Sequence, residues 1–263
     1  MRPIFDLRFI VFALALLAIP LGRACAQFAA APPLMPDVLN PTPKYWYIAP
    51  LLGVNSNMHN GDFLPAYCDQ CKFADGTGTA LMVGLQLEHL PTPDYGFAVK
   101  LLYDDKSAIY TQAMPSVQRL ATDLSTVTVA VERTMDAKLA YFVINPVFEI
   151  FPLKHLYIFA GPGIGIPMTN EYSVKERMLD PNFAYVESGS NEVQLGQTEW
   201  TEIPGLKSPR IDIRAGIGYN LKLSRSVILA PELSYEYAIT TISDDDNWKA
   251  SAMHGVVVLK FAL

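Results

Sequence analysis

The chain of 263 residues has room for one large all-β domain or two small ones, and its 17% charged residues fall below the roughly 25% usual in soluble globular chains. Prolines (20) and glycines (16) are spread through it, and after the first 20 residues nothing approaches the roughly 18 to 20 uninterrupted apolar residues of a transmembrane helix, so any membrane span has to be a strand. The formal net charge of -6 leaves no basic surface for phosphate, which argues against a nucleic-acid partner.

Residues 1–26 read as a cleavable signal peptide. Arg2 and Arg8 supply the positive end, Phe9 to Pro20 the apolar core, and Ala24-Cys25-Ala26 the small-x-small cleavage site. Gly22 and Arg23 stand where a lipobox wants an aliphatic and a small residue, so Cys25 is expected to leave with the peptide. Cleavage removes Arg2, Arg8, Arg23 and Asp6 and leaves 17 basic against 25 acidic residues, a net charge of -8. Residues 27–44 form a periplasmic, proline-rich lead-in, because the prolines from 32 to 43 have no N–H for a helix or a ladder. Of the remaining cysteines, Cys68 and Cys71 frame Asp69-Gln70. In an oxidising envelope this spacing points to a small disulfide loop, whereas a redox centre would need a βαβ setting and a zinc site two more ligands.

From Tyr45 onward eight alternating segments follow: 45–56, 79–89, 95–106, 138–151, 156–168, 210–222, 226–241 and 251–263. Each has the length of a tilted membrane-spanning strand. The period of two separates their faces. In the sixth segment Ile211, Ile213, Ala215, Ile217 and Tyr219 oppose Asp212 and Arg214. In the second, third, seventh and eighth, aliphatic and aromatic residues likewise oppose Glu88, Lys100, Asp104, Glu232, Glu236, His254 and Lys260. A soluble, lipocalin-like barrel would turn the aliphatics inward and a lipid-immersed barrel outward, and the faces alone leave both open.

The connections favour the second. Residues 90–94, 152–155 and 223–225 are short turns, whereas 57–78, 107–137, 169–209 and 242–250 are longer, and the two kinds alternate. Outer-membrane barrels have short periplasmic turns and long external loops, and an even strand count puts both termini on the periplasmic side. The expected fold is therefore all-β: an eight-stranded antiparallel up-and-down transmembrane barrel over residues 45–263. Within the second long loop, residues 126–133 alternate strongly enough to extend the wall as a hairpin above the membrane.

Four stretches carry a resemblance: Leu156–Ile166 (LYIFAGPGIGI), Val143–Phe151 (VINPVFEIF), Ala215–Tyr219 (AGIGY) and Val258–Leu263 (VLKFAL). With them the chain resembles the OmpA-like and PorT-like outer-membrane barrel domains over about residues 45–263. Those families usually end in an aromatic residue read by the barrel-insertion machinery, whereas here Leu263 is last and Phe261 stands two before it. The resemblance implies an outer-membrane location, contact with membrane lipid and a dependence on that machinery. Its members serve as tethers, adhesins or secretion components.

An eight-stranded barrel is just wide enough for side chains to fill. The inward residues Glu88, Lys100, Asp104, Glu149, Asp212, Arg214, Glu232, Glu236 and Lys260 are expected to form a plug of ion pairs rather than a pore. Gly161, Gly163 and Gly165 lack the Lys-Ser/Thr and the helix of a phosphate loop, and are expected to make room for large interior side chains. The four histidines show no metal spacing and no Gly-x-Ser-x-Gly elbow is present, so no catalytic, metal or cofactor site is expected. Asp244-Asp245-Asp246 reads as a solvated loop tip. Tyr45, Trp46, Tyr103, Phe151, Tyr157, Tyr219, Tyr235 and Tyr237 are expected in aromatic girdles at the membrane interfaces. Tyr172, Phe183, Tyr185 and Trp200 suit the 169–209 loop to contact with extracellular protein or glycan. The function expected is a non-enzymatic structural, adhesive or envelope-assembly role. The alternatives are an outer-membrane enzyme cleaving lipid or peptide and a soluble periplasmic carrier of an apolar ligand.

Overall fold

The computed structural model describes residues 45–65, 71–120, 126–180, 183–185, 189–196, 199–224, 226–244 and 247–263. The signal peptide, the proline-rich lead-in, Cys68, Asp245 and Asp246 lie outside the described residues. Residues 44–263 form one compact unit.

Alternating side chains make each strand two-faced, and the only way to bury one face of every strand without leaving an unpaired edge is to close the sheet. The described residues hold twelve strands: β1 (Tyr45–Phe63), β2 (Phe73–Leu90), β3 (Tyr95–Asp105), β4 (Ala108–Leu120), β5 (Thr126–Ile150), β6 (Leu156–Met178), β7 (Glu192–Leu195), β8 (Thr201–Glu202), β9 (Arg210–Tyr219), β10 (Leu221–Lys222), β11 (Val227–Ala238) and β12 (Lys249–Ala262). Eight of them close an antiparallel ring in the order β1, β2, β3, β5, β6, β9, β11, β12 and back to β1. This is the eight-stranded barrel that the alternation predicts.

The long connections are shorter than the alternation suggests, because the strands run on into them. β4 continues β3 beyond Lys106 and Ser107 and keeps the pairing with β5, from Ala108↔Ala137 to Leu120↔Thr126. Thus the predicted loop 107–137 is largely a hairpin, extended well past residues 126–133. β5 has 25 residues and β6 has 23, against the 9 to 11 that a tilted span uses. β7 and β8 add to the free end of β6. A cross-strand shift between Ala140 and Tyr141, where Ala140 and Tyr141 are both buried, marks the height at which the barrel proper gives way to this extension.

Outward and inward faces separate along every ring strand. Leu52, Val83, Val99, Ile144, Ile164, Ile213, Leu233 and Val257 point outward and are exposed. Together with their neighbours they form one aliphatic belt. On β5 the outward residues are Phe142, Ile144, Phe148 and Ile150 within the belt and Lys138, Asp136, Thr134 and Glu132 beyond it. On β6 the same change falls between Met168 and Glu171.

Large inward side chains need room, and glycines on the inward face provide it. A Cβ on Gly163 would collide with the Asp212 carboxylate, and one on Gly218 with the Tyr157 ring. Gly163→Val is therefore expected to displace Asp212 and to weaken the barrel, read as a lower urea midpoint of heat-modifiable gel migration.

Candidate functional site

The lumen holds the densest chemistry of the molecule. All nine polar residues assigned to it are buried, at 6% exposure or less. The strand parity that aims aliphatics outward aims these side chains into the interior.

They fall into two groups. The group toward the loop end sets Asp104, Asp212 and Glu236 against Lys106, Arg210 and Arg214. Arg214 reaches Asp104 at 2.7 Å, Asp212 at 3.1 Å and Glu236 at 2.8 Å. Lys106 reaches Asp104 at 3.1 Å and Glu236 at 2.9 Å, and Arg210 reaches Asp212 and Glu236. Asn55 donates to Asp104 at 2.6 Å, and His254 lies between Asn55 Oδ1 at 2.7 Å and Glu236 Oε2 at 3.1 Å. Three carboxylates thus meet three fixed cations, the arrangement in which buried charges are tolerated. Oxygen and nitrogen atoms of Asp104, Glu236 and His254 come within 4.8 Å of one another, the spacing of a metal site. Lys106 and Arg214 already bind both carboxylates, so the cationic place is filled by side chains.

The group toward the short turns contains Glu88, Glu149 and Glu232 with Lys100 and Lys260. Lys100 pairs with Glu232 at 2.6 Å and Lys260 with Glu88 at 2.6 Å. Gln86 donates to Glu88 at 2.9 Å. The two lysines also lie over the rings of Phe159 and Tyr157, at 4.1 and 4.5 Å. Glu149 departs from the expected plug of ion pairs: it is fully buried, but both its carboxyl oxygens lack a hydrogen-bond partner among the described residues.

An aromatic lid of Phe63, Phe73, Tyr110, Tyr172 and Trp248 covers the loop end of the lumen. His59 contacts the Tyr110 hydroxyl at 2.5 Å, and the Trp248 indole donates to that hydroxyl at 2.6 Å. Farther out, Arg133 pairs with Glu176 at 2.8 Å and donates to Cys71 Sγ at 3.6 Å. Cys71 is disulfide-bonded, and its expected partner Cys68 lies outside the described residues.

Several predicted positions require correction. Tyr157 is no girdle residue. Ile158 and Ala160 face outward, so Tyr157 faces the lumen, where its hydroxyl donates to Glu232 at 2.7 Å. Tyr157→Phe leaves a buried carboxylate oxygen without that donor and is expected to destabilise by about 1.5–3 kcal/mol, measured by urea titration in detergent. Phe151 is half-buried against Tyr157, and the Tyr45 side chain lies outside those described. Trp46 is exposed and stacks on His89 at 4.2 Å, and Tyr103, Tyr219, Tyr235 and Tyr237 face outward.

The loop aromatics also differ from expectation. Tyr172 is buried against Phe63, and Phe183 and Tyr185 pack on Val129, Val131 and Met178. Trp200 is covered by Lys138 at 3.4 Å. Tyr172, Phe183 and Tyr185 stabilise the extension from within, Trp200 lies against the outward Lys138, and the outward surface is charged. Arg177 pairs with Glu132 at 2.6 Å and Lys175 with Glu192 at 3.1 Å. Partial burial pushes the Asp136 carboxyl up, against the pull of Lys138 and Lys175. At the opposite end, partial burial and then Lys222 and Lys154 lower the His155 imidazole. Asp244 is exposed and pairs with Lys207 at 3.2 Å, whereas His59 is buried inside the lid.

Period-two counting extends to residues that the sequence reading omitted. Lys106 and Arg210 share the parity of Asp104 and Asp212, but they stand at segment ends, where membership of a strand is hardest to judge.

No protein-family model matches the chain, and no curated protein matches it. Among solved structures it is similar to Ail, the attachment invasion locus protein of Yersinia pestis, with 9% identity over 82% of this chain and 98% of that one and a TM-score of 0.34. It is similar to the outer membrane protease OmpT from Escherichia coli, with 8% identity, coverage of 86% and 99%, and a TM-score of 0.33. Similarity to the outer membrane protein AlkL has 10% identity, coverage of 89% and 97%, and a TM-score of 0.36. At these identities and scores the likenesses carry no function to this chain.

Proposed function

We propose that the chain is a non-enzymatic outer-membrane barrel with a sealed lumen, which holds the sheet extension of β4 to β7 outside the cell as a contact surface for protein or glycan. The single observation behind this reading is the change on the outward faces of β5 and β6. Both are aliphatic along the belt and charged beyond it, while the interior stays filled throughout. A hydrocarbon layer in contact with the belt and water around the extension account for that change at one height, since charges facing hydrocarbon are expelled. In this orientation the short turns, the start of β1 at Tyr45 and the end of β12 face the periplasm, and the barrel-insertion machinery delivers the chain to the membrane.

Filling matters as much as the belt. Ion pairs and the aromatic lid occupy the cross-section of the lumen, so the barrel serves as an anchor and not as a conduit. Protease added to whole cells is expected to cut only in the extension and to leave the barrel in the outer-membrane fraction. The purified protein in a planar bilayer is expected to show no ion conductance. A soluble periplasmic product, or steady conductance, contradicts the reading.

A further inference from the structure

The charge balance of the lumen is uneven, and the imbalance is local. The loop-end group pairs three carboxylates with three fixed cations, whereas among the described residues Glu88, Glu149 and Glu232 at the turn end share only Lys100 and Lys260. Both lysines are engaged, one by Glu232 and one by Glu88. Glu149 is left over, fully buried, with no donor on either oxygen among the described residues.

Its surroundings reinforce the point. Glu149 on β5 pairs with Gly96 of β3, and Glu88 on β2 pairs with Ala98 of the same strand, so only small residues stand between the two acids. Two further acceptors without a donor, Glu88 Oε1 and Gln86 Oε1, also belong to β2. The charged groups acting on Glu149 are Glu88 of β2, Lys260 of β12, Lys100 of β3 and Glu232 of β11, and the Tyr157 hydroxyl of β6 is already donated to Glu232. An ionised carboxylate in this position would be buried, unpaired and beside a like charge. A carboxylic acid carries its own O–H donor into a group of oxygens that lacks one.

We infer that the turn-end group of the lumen is a proton-binding site, with one proton from solvent held on the Glu149 carboxyl of the folded barrel. Proton uptake converts this carboxylate to the neutral acid and brings Glu88, Glu149 and Glu232 into balance with Lys100 and Lys260. A metal ion would offset the charge too, but the surrounding side chains leave Glu149 no exposed surface through which a hydrated ion could enter.

Infrared spectroscopy tests the site on the full-length mature barrel, folded at neutral pH in an ester-free detergent. The C=O stretch of a protonated carboxylic acid is resolved from carboxylate and amide bands. The wild type is expected to show this band, unchanged by added sodium or calcium chloride, and E149Q to fold with the same heat-modifiable migration and to lack it. The amide has the shape of the neutral acid and also supplies a donor. Three results overturn the inference: no acid band in the folded wild type, a band that persists in E149Q, or failure of E149Q to fold. A missing band together with stability that rises on adding sodium chloride would assign the place to a cation.

Discussion

Glu236→Ala is expected to prevent stable folding of the barrel. This one carboxylate contacts Arg210, Arg214, Lys106 and His254, and all five residues are buried in the lumen. Its removal leaves three cations facing only Asp104 and Asp212. Breaking a buried ion pair by deleting one partner costs about 3–5 kcal/mol, and Glu236 serves several such pairs against a typical domain stability of about 5–15 kcal/mol. Urea titration of heat-modifiable migration measures the loss. Glu236→Gln, which keeps the shape without the charge, is expected to be destabilised as well. A midpoint near that of wild type in both variants would mean that the ion-pair network contributes little.

The second large effect lies on the outer wall. Val257 is 48% exposed and pairs with Leu52 and Pro231 near mid-height of the belt. In a bilayer that position faces hydrocarbon, and an arginine there costs about 2–4 kcal/mol. Val257→Arg is thus expected to shift the equilibrium for folding into liposomes by that amount. Thr111→Arg, outward on β4 beyond the belt and opposite Thr134, is expected to leave it unchanged. Equal effects at the two positions would remove the distinction between belt and extension.

Much of this architecture was legible because the physical constraint on a closed barrel repeats every two residues. Ile211, Ile213 and Ile217 alternate with Asp212 and Arg214, and neither face can be shifted by one residue without burying aliphatics among charges. The upper half of β5 was harder to read. Beyond Leu139 the outward positions turn polar, with Thr128, Glu132, Thr134 and Asp136, while Val129, Val131, Met135 and Ala137 face inward beside Arg133, so the alternation runs in the sense opposite to that of the belt although the pairing with β4 and β6 continues. Such a segment differs from the eight belt strands in which face is polar and not in lacking a period of two.

Within the lumen, parity identified which residues meet but not how they divide. The grouping of Lys106 and Arg210 with Glu236 follows from long-range strand register, and Glu149 lacks a partner because both lysines near it are committed elsewhere. Tyr157 was misread for a related reason: an aromatic residue at a strand end suits an interfacial girdle, and only the outward placement of Ile158 turns it into the lumen. The loop aromatics Tyr172, Phe183 and Tyr185 likewise serve internal packing, which moves the candidate contact surface to the charged outward faces of β5 and β6.

Spin labels placed one at a time from Ala252 to Phe261 on β12 provide the most direct test. The protein in liposomes is probed with oxygen, which partitions into hydrocarbon, and with a water-soluble nickel chelate. Labels at Met253, Gly255, Val257, Leu259 and Phe261 are expected to collide preferentially with oxygen, and those at the intervening positions to be shielded from both. Water-accessible labels at the odd positions, or no alternation along the strand, would contradict a lipid-facing belt around a filled lumen.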